Sequence, residues 1–261
     1  MTNFTLLSKK IFLKFISLLL WILIWQLAAV WLNKPLLIPT PVDVFMRLLE
    51  LVVTNVFWQT IFSSFLKMIL GLFLGITVGI LFAVISYFSK LLHEIFYIPL
   101  SVIKATPVAS FIILALLWIK DGFLSTFITM LMVTPIVWTN VYEGLLNTDK
   151  KILEMAKVFR FSSFKKIKYI YIPQLKSYFL AAVITASGLG WKAGIAAEVI
   201  ARPGNSIGTF LHESKVYLET TDLFAWTIVV IVTSIILEKI IKFVLKKLVK
   251  SGENNETQKH F

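Results

Sequence analysis

The chain contains no cysteine and little charge, and both shortages restrict what it can be. Without cysteine there are no disulfide bridges, no thiolate metal ligands and no cysteine nucleophiles. Only 15% of the 261 residues are charged while 58% are hydrophobic, and the mean hydropathy is +0.84. Soluble domains are about half apolar and about a quarter charged, and disordered chains are poor in aliphatic and aromatic residues. The composition therefore excludes both classes and favours a protein that crosses a membrane several times.

Nucleotide and metal motifs are also missing. No segment of the form G-x-x-x-x-G-K-[ST] occurs, so we expect no ATP bound through a P-loop of this chain. The three histidines, His93, His212 and His260, are too scattered to indicate a metal site. The net charge of +12 is typical of nucleic-acid binders, but here the lysines and arginines lie between apolar runs. We expect no metal, no cofactor and no nucleic acid on this chain.

Long apolar runs are the main positive feature of the sequence. About 20 helical residues, rising about 1.5 Å each, cross the roughly 30 Å of hydrocarbon in a bilayer. The runs 69–88 and 123–142 carry no charge. The run from residue 11 also resembles a secretory signal, but its length and the lack of a cleavage site favour an uncleaved helix. We predict an all-α polytopic membrane protein of one domain, 1–261, with six transmembrane helices at about 11–32, 67–88, 95–119, 123–142, 178–200 and 223–244.

Prolines mark where these helices end or bend. Pro39 and Pro41 interrupt the chain after the first span, because two prolines so close cannot lie inside a helix. Residues 42–62 then mix apolar and charged groups, which predicts an amphipathic helix at the membrane interface. Pro99 and Pro107 predict that the third span is bent or tilted.

The distribution of Lys and Arg predicts the orientation. If the amino terminus is cytoplasmic, the cytoplasmic segments hold 18 of the 26 Lys and Arg residues and the external segments hold six. Cytoplasmic loops of membrane proteins carry an excess of positive residues. Both termini are therefore predicted to face the cytoplasm.

Two glycine patterns carry different predictions. Gly71, Gly75 and Gly79 recur every four residues, so they line one face of the second span and predict close packing against another helix. Residues 204–208 (GNSIG) match the G-x-S-x-G of a hydrolase nucleophile elbow, so an intramembrane hydrolase that uses Ser206 and His212 is one alternative. That elbow requires a strand before the serine, whereas this segment lies between two predicted helices. A plain glycine-rich turn is the favoured interpretation.

The segment 143–177 is basic but too apolar for a simple linker. Ile152, Met155, Ala156 and Phe159 fall at i, i+3, i+4 and i+7, which is typical of one helix face. Further apolar residues recur every three positions, at Phe161, Phe164, Ile167 and Ile170. The pattern predicts short amphipathic helices whose apolar face needs a partner.

The same segment resembles the EAA loop of a known family. Glu154, Ala156 and, nineteen positions after the glutamate, Pro173 have its spacing. The strings LIPTPVDVF, LKMILGLFLGITVGI, ATPVASFIILALLWI, ASGLGWKAGIAAEVIA, GNSIG and DLFAW occur in the family's order. On these motifs the chain resembles the membrane permease subunits of binding-protein-dependent ABC importers, in the nitrate, sulfonate and taurine branch.

The resemblance implies partners and a mechanism. It implies a bacterial plasma-membrane subunit that pairs with a second permease copy, most simply an identical one. A cytoplasmic ABC ATPase pair would bind ATP and Mg, and an extracytoplasmic solute-binding protein would deliver the solute. The permease would move a small, anionic solute (sulfonate-like or nitrate-like) or a vitamin precursor by alternating access and would catalyse no reaction.

The resemblance assigns ATPase coupling to Glu154, Ala156, Arg160 and Pro173. We expect Glu154 early in a short helix, Ala156 small enough to let that helix enter a groove of the ATPase, and Pro173 to stop the second short helix. Arg160 replaces the family's glycine, which implies either a different turn between the two helices or a shifted contact.

Two charges interrupt the fifth span, Lys192 and Glu198. On a straight helix they are about 120° apart and about 9 Å apart along the axis, so a bend at Gly194 or separate partners are required. A charge facing lipid at mid-span costs about 2.5–3.5 kcal/mol, so both are expected to face protein or water. We predict that Trp191, Lys192 and Glu198 belong to the translocation path, with Lys192 attracting an anion and Glu198 fixing an external gate. The alternative is a charge pair near the end of the helix.

A second alternative function is an ATP-independent secondary transporter or channel. That class is expected to have more ionisable groups within its spans and no amphipathic inner loop. Lys104, Lys192 and Glu198 are the charges found within the third and fifth predicted spans.

Overall fold

The computed structural model describes the backbone of residues 2–257 and the side chains of residues 12–245 and 247, and this part of the chain is helical without strands. A π-helical turn, Ile167–Tyr171, joins α8 to α9. The helices are α1 Thr2–Leu32, α2 Pro41–Val52, α3 Asn55–Phe88, α4 Lys90–Ala105, α5 Val108–Ala115, α6 Asp121–Leu146, α7 Lys150–Val158, α8 Ser163–Lys166, α9 Ile172–Ala201, α10 Ile207–Val216 and α11 Thr220–Thr257.

Four helical stretches of the described residues are long and apolar enough to cross a membrane: Phe12–Leu32, α3, α6 and Ser163–Ala201. The pair α4 and α5 makes a fifth if the two form one span. The all-α polytopic fold is therefore confirmed, while the number six stays a prediction. The last predicted span, 223–244, lies within α11.

The third predicted span, 95–119, is not one helix. α4 and α5 meet at an angle of 106°, and Thr106 between them has an extended backbone. Pro107 explains the break, because proline disfavours helical geometry in the residue before it and has no N–H of its own to donate. Pro99 lies inside α4 without ending it. The break creates an irregular segment between two apolar helices.

The amphipathic segment predicted at 42–62 is also divided. α2 ends at Val52, and Thr54 caps a new helix by accepting a hydrogen bond from the Phe57 backbone N–H. α3 is therefore 34 residues long, about 50 Å at the usual rise per residue, and begins well before the predicted start of the second span. Only α2 keeps the character predicted for an interfacial helix.

α6 is the central helix and packs against α3 on one side and α9 on the other. Gly71, Gly75 and Gly79 form the α3 side of this contact. A Cβ built on Gly75 falls 2.7 Å from Val133 Cβ, and one on Gly79 falls 2.8 Å from Val137 Cβ, both closer than van der Waals contact allows. The backbones of α3 and α6 are thus nearer than any side chain on these three positions permits.

The start of α11 is tied to α1 and α2. Arg47 on α2 donates from Nε and Nη2 to the two carboxylate oxygens of Asp222, at 2.6 and 2.9 Å. These hydrogen bonds raise the pKa of the Arg47 guanidinium above its usual value. Trp25 of α1 stacks on Phe224 and donates from Nε1 to the Pro39 carbonyl. These contacts hold the α1–α2 connection against the bundle.

Candidate functional site

A cavity of about 330 Å³ lies between the α4–α5 break, the middle of α6 and the middle of α9. Its walls are apolar except for two lysines, Lys104 and Lys192, and the hydroxyl of Thr106. No carboxylate lines it. Such an arrangement attracts an anion, since both charges in the wall are positive and nothing negative in the wall neutralises them.

Lys192 is exposed on α9 and has no hydrogen bond or ion pair with any residue whose side chain the structure describes. Its two neighbours in sequence, Trp191 and Ala193, are buried, at 1% and 6% exposure. Lys192 therefore lies on the exposed side of a packed helix, where it lines the cavity. A lone lysine at this depth is unfavourable against lipid, so this face requires water, a solute or another protein chain.

Lys104 is the cavity residue that the sequence prediction missed as a site residue. Its Nζ donates to Thr139 Oγ1 at 2.5 Å and lies 5.8 Å from the centre of the Trp138 ring. The available signal was its position: one charge in an apolar run, two residues before the Thr106–Pro107 break. The sequence does not show that the break turns this segment toward α9, and so the pairing with Lys192 was not predicted.

Trp191 and Glu198 do not line this cavity, although they were predicted for the path together with Lys192. Trp191 packs in the cluster around Met68 and Ile195, with its ring 6.2 Å from that of Phe65. Glu198 is fully buried. Both face α3 and α10, because they lie on other sides of α9 than Lys192.

Glu198 and Lys192 have separate surroundings. Glu198 Oε2 accepts from Ser64 Oγ at 2.8 Å and from the Gly208 backbone N–H at 3.2 Å, and Ser64 Oγ accepts from the Ile207 N–H at 3.0 Å. The carboxylate thus lies at the amino-terminal end of α10, where unpaired N–H groups and the helix dipole favour negative charge. Glu198 joins α9, α3 and α10 and does not pair with Lys192.

The GNSIG segment is the turn and first residues of α10. Gly204 has φ +79°, and Ser206 caps the helix by accepting from the Thr209 N–H at 3.2 Å. A Cβ on Gly208 would collide with Glu198 Cβ and the Val199 backbone nitrogen, so only glycine allows this approach of α10 to α9. Ser206 is fully buried and its hydroxyl is 2.9 Å from Thr209 Oγ1. The hydrolase alternative lacks the required strand before this serine.

The segment 143–177 contains α7 and α8, and part of it exposes apolar groups. Met155, Val158, Phe159, Phe164 and Ile167 are all more than half exposed, and we call these five residues the loop apolar patch. Asp149 caps α7 through the Lys151 N–H, and its own N–H donates to Gln174 Oε1, which ties α7 to the start of α9. The loop is therefore held in place while its patch remains uncovered.

Three details of the loop differ from the expectations. Glu154 is exposed in the middle of α7 and not early in it; Asp149 holds the capping position. Ala156 is 1% exposed and packs inside its own chain, so it does not offer a surface for a partner's groove. Pro173 does not stop a helix, because the π-helical turn Ile167–Tyr171 leads directly into α9 and places Pro173 in its first turn, where no N–H is needed.

Arg160 takes the turn geometry that glycine normally supplies. Its φ is +51°, the Phe161 N–H donates to the Ala156 carbonyl at 2.8 Å, and the Arg160 N–H donates to the Lys157 carbonyl at 3.0 Å. These two hydrogen bonds define a Schellman motif with Arg160 at the left-handed position. The expectation of a different turn is therefore wrong. The chain keeps the left-handed turn that glycine normally forms, and the arginine at this position is conformationally strained.

Arg160→Gly is expected to stabilise the end of α7. Glycine removes the penalty of a side chain in the left-handed region, about 1 kcal/mol, or about fivefold in the local opening equilibrium. Hydrogen exchange of loop peptides covering residues 156–161 should slow by about that factor. Arg160→Ala is the control, because it removes the guanidinium but keeps Cβ. Equal exchange in Arg160→Gly and wild type would contradict the strain.

The comparisons with known proteins agree with this architecture. The family model described as "Binding-protein-dependent transport system inner membrane component" matches residues 75–251, and the chain belongs to this family. It is 22% identical to the putative aliphatic sulfonates transport permease protein SsuC of Bacillus subtilis, over 88% of this chain and 83% of that protein. It is also 22% identical to the taurine transport system permease protein TauC of Escherichia coli (82% and 80%) and to the formylaminopyrimidine transport permease protein ThiX of Halalkalibacterium halodurans (63% and 66%).

These relationships confirm that the chain is an ABC importer permease of the nitrate, sulfonate and taurine branch. It is a transport subunit and not an enzyme, and it is a multi-pass protein of the inner membrane. A binding-protein-dependent importer implies an ATPase and a solute-binding protein as partners. Among the described residues no group of three or more His, Asp or Glu could hold a metal ion.

Proposed function

We propose that this permease conducts a small organic or inorganic anion past Lys192, as one half of a homodimeric translocation path. The observation that carries the proposal is the exposed, unpaired Lys192 in a cavity without carboxylates. A neutral solute such as a pyrimidine gains little from that charge, and a second copy of the chain facing the cavity would shield it from lipid. Sulfonates or nitrate suit the site better than an uncharged vitamin precursor.

Uptake by cells tests the solute class. Cells that lack their own copy of the gene are compared with cells that regain it, using radiolabelled nitrate, ethanesulfonate, taurine and formylaminopyrimidine as probes. We expect restored uptake of at least one of the first three probes, all of which carry a negative group, and none of the neutral pyrimidine. Restored uptake of formylaminopyrimidine alone would contradict the proposal.

We further propose that both termini and the segment 143–177 face the cytoplasm. The threefold excess of Lys and Arg on that side supports this orientation. Reporter fusions after Lys150 and Lys250 should show cytoplasmic activity, and fusions after Lys34 and Arg202 should show external exposure. An external signal after Lys150 would overturn the assignment, since it would place the basic loop on the wrong side.

In this orientation, we propose that the loop apolar patch docks the ATPase. Exposed Phe159 and Phe164 on a loop fixed by Asp149 and Gln174 are suited to enter a groove of a cytoplasmic partner. ATP-driven closure of the ATPase pair would then move α8 together with α9, because the π-helical turn joins these two helices without a break. α7 would move with them, because the Asp149–Gln174 hydrogen bond ties it to the start of α9.

Phe159→Ser and Glu154→Lys are expected to weaken ATPase docking without affecting membrane insertion. An aromatic anchor at an interface contributes about 2 kcal/mol or more, so Phe159→Ser should lower the amount of co-purified ATPase by about tenfold or more. Tyr217→Ser is the matched control, since Tyr217 is as exposed as Phe159 (72% against 69%) but lies outside the loop. Wild-type co-purification with Phe159→Ser and Glu154→Lys would refute the docking site.

A further inference from the structure

The α4–α5 break brings a second lysine to the cavity that holds Lys192. Lys104 lies in the last turn of α4 and lines the cavity together with Lys192 of α9. Two lysines from helices far apart in sequence therefore belong to one cavity wall, and a solute between α4 and α9 would meet both.

Lys104 forms one hydrogen bond with the described residues, which leaves N–H donors of its ammonium group for a ligand. An ammonium group has three N–H donors, and one of them donates to Thr139 Oγ1. Thr139 in turn donates its own proton to the Pro135 carbonyl at 2.8 Å, so it serves Lys104 only as a neutral acceptor. Glu143, one helical turn further along α6, forms no ion pair with Lys104. The charge of Lys104 is thus held in position without being neutralised.

We propose that Lys104 is a specificity-determining residue of the permease, which together with Lys192 forms a two-cation site for the anionic group of the solute. This inference rests on the proposed path past Lys192 and adds a second contact to it. Thr139 and the Trp138 ring hold the ammonium at the break until the anion replaces or joins Thr139. The apolar walls, formed by residues such as Ile136 and Leu189, accept the uncharged part of the solute.

A purely structural role for Lys104 makes a different prediction. A lysine in the last turn of a helix stabilises the negative end of the helix dipole. If the ammonium faces only the end of α4 and lies away from the cavity, its removal changes stability with little change in the electrostatic potential at the α9 wall. A probe on α9 therefore separates the two roles.

The lack of cysteine allows such a probe. Leu189 lines the cavity on α9 and is exposed, so Leu189→Cys introduces one thiol into this chain at the required place. In membranes holding the assembled importer, labelling of this chain is timed with two reagents of similar size. One is anionic (2-sulfonatoethyl methanethiosulfonate) and the other cationic (2-trimethylammonioethyl methanethiosulfonate). Their rate ratio, anionic over cationic and divided by the same ratio for a free thiol in solution, reports the sign of the local potential.

We expect this corrected ratio to favour the anionic reagent in the Leu189→Cys parent. Lys104→Met should lower the ratio about threefold to tenfold, as should Lys192→Met. Lys104→Arg should retain the ratio, because it keeps the positive charge. Lys90→Met is the matched control, a lysine at the other end of α4, and should leave the ratio unchanged.

The outcomes separate this inference from the proposed function. If Lys192→Met lowers the ratio and Lys104→Met does not, Lys104 has only its helix-end role and the proposed path remains. If the parent shows no preference for the anionic reagent, both fail. Should Lys104→Met not accumulate in the membrane, Lys104→Gln takes its place. An unchanged ratio in Lys104→Gln likewise overturns the inference.

Discussion

Lys192→Met is expected to abolish uptake of the anion while leaving the importer assembled. Methionine has a similar length and no charge, so it keeps the packing of α9 and removes the positive group from the cavity. Hydrogen bonds to a charged group contribute about 1.5–3 kcal/mol, which corresponds to a loss of about tenfold to more than a hundredfold when they vanish. Uptake of the probe that the wild type transports fastest should fall to that extent.

Two controls identify the cause of that loss. Membrane abundance and basal ATP hydrolysis of the complex should be unchanged, because Lys192 forms no hydrogen bond or ion pair with the side chains that the structure describes. Lys192→Arg should recover part of the uptake, since it retains the charge in a different shape. Normal uptake by Lys192→Met at equal abundance would show that the Lys192 charge is not needed for transport and would refute the proposed path.

Gly75→Leu is expected to prevent assembly of the bundle. A Cβ at Gly75 already falls 2.7 Å from Val133 Cβ and 2.9 Å from the Met130 carbonyl oxygen, and a leucine adds three more carbons to the same space. Because α3 packs there against the central helix, the backbones must separate along the whole contact. Little or no folded protein should be recovered from the membrane.

Gly75→Ala gives the graded form of the same test. Overpacking by one methyl group costs about 1–3 kcal/mol, or about 2–12 °C in the thermal midpoint of a chain of this size. Gly188→Ala is the matched control, since Gly188 lies in helix α9 with no atom within 4 Å of its added Cβ. A midpoint shift in Gly75→Ala no larger than in Gly188→Ala would contradict close packing at α3.

The sequence predicted the helices that composition and periodicity alone determine. The runs at 123–142 and 178–200 lie within α6 and α9, because an apolar run of that length has no other way to satisfy its backbone in a membrane. The spacing of Gly71, Gly75 and Gly79 likewise defines one face in any helix, whatever its partner.

Features that depend on tertiary contacts were not predictable in the same way. Pro107 indicates a bend, but its angle and the resulting position of Lys104 depend on how α5 packs against α6 and α9. Pro173 was expected to end a helix, but it lies in the first turn of α9, directly after the π-helical turn. Hydrogen bonds from Ser64 and from the amino-terminal end of α10 hold Glu198 in its buried position. Ser64 is remote in sequence and α10 follows a turn, so the sequence alone did not predict these contacts.

The energy source of uptake tests the central claim most directly. The permease is reconstituted into liposomes with its ATPase and its binding protein, and accumulation of the transported anion is measured with ATP and without any ion gradient. Accumulation that requires ATP and disappears in Lys192→Met is the predicted result. Accumulation driven by an imposed proton or sodium gradient in the absence of ATP would contradict the account, because it is the behaviour of a secondary transporter.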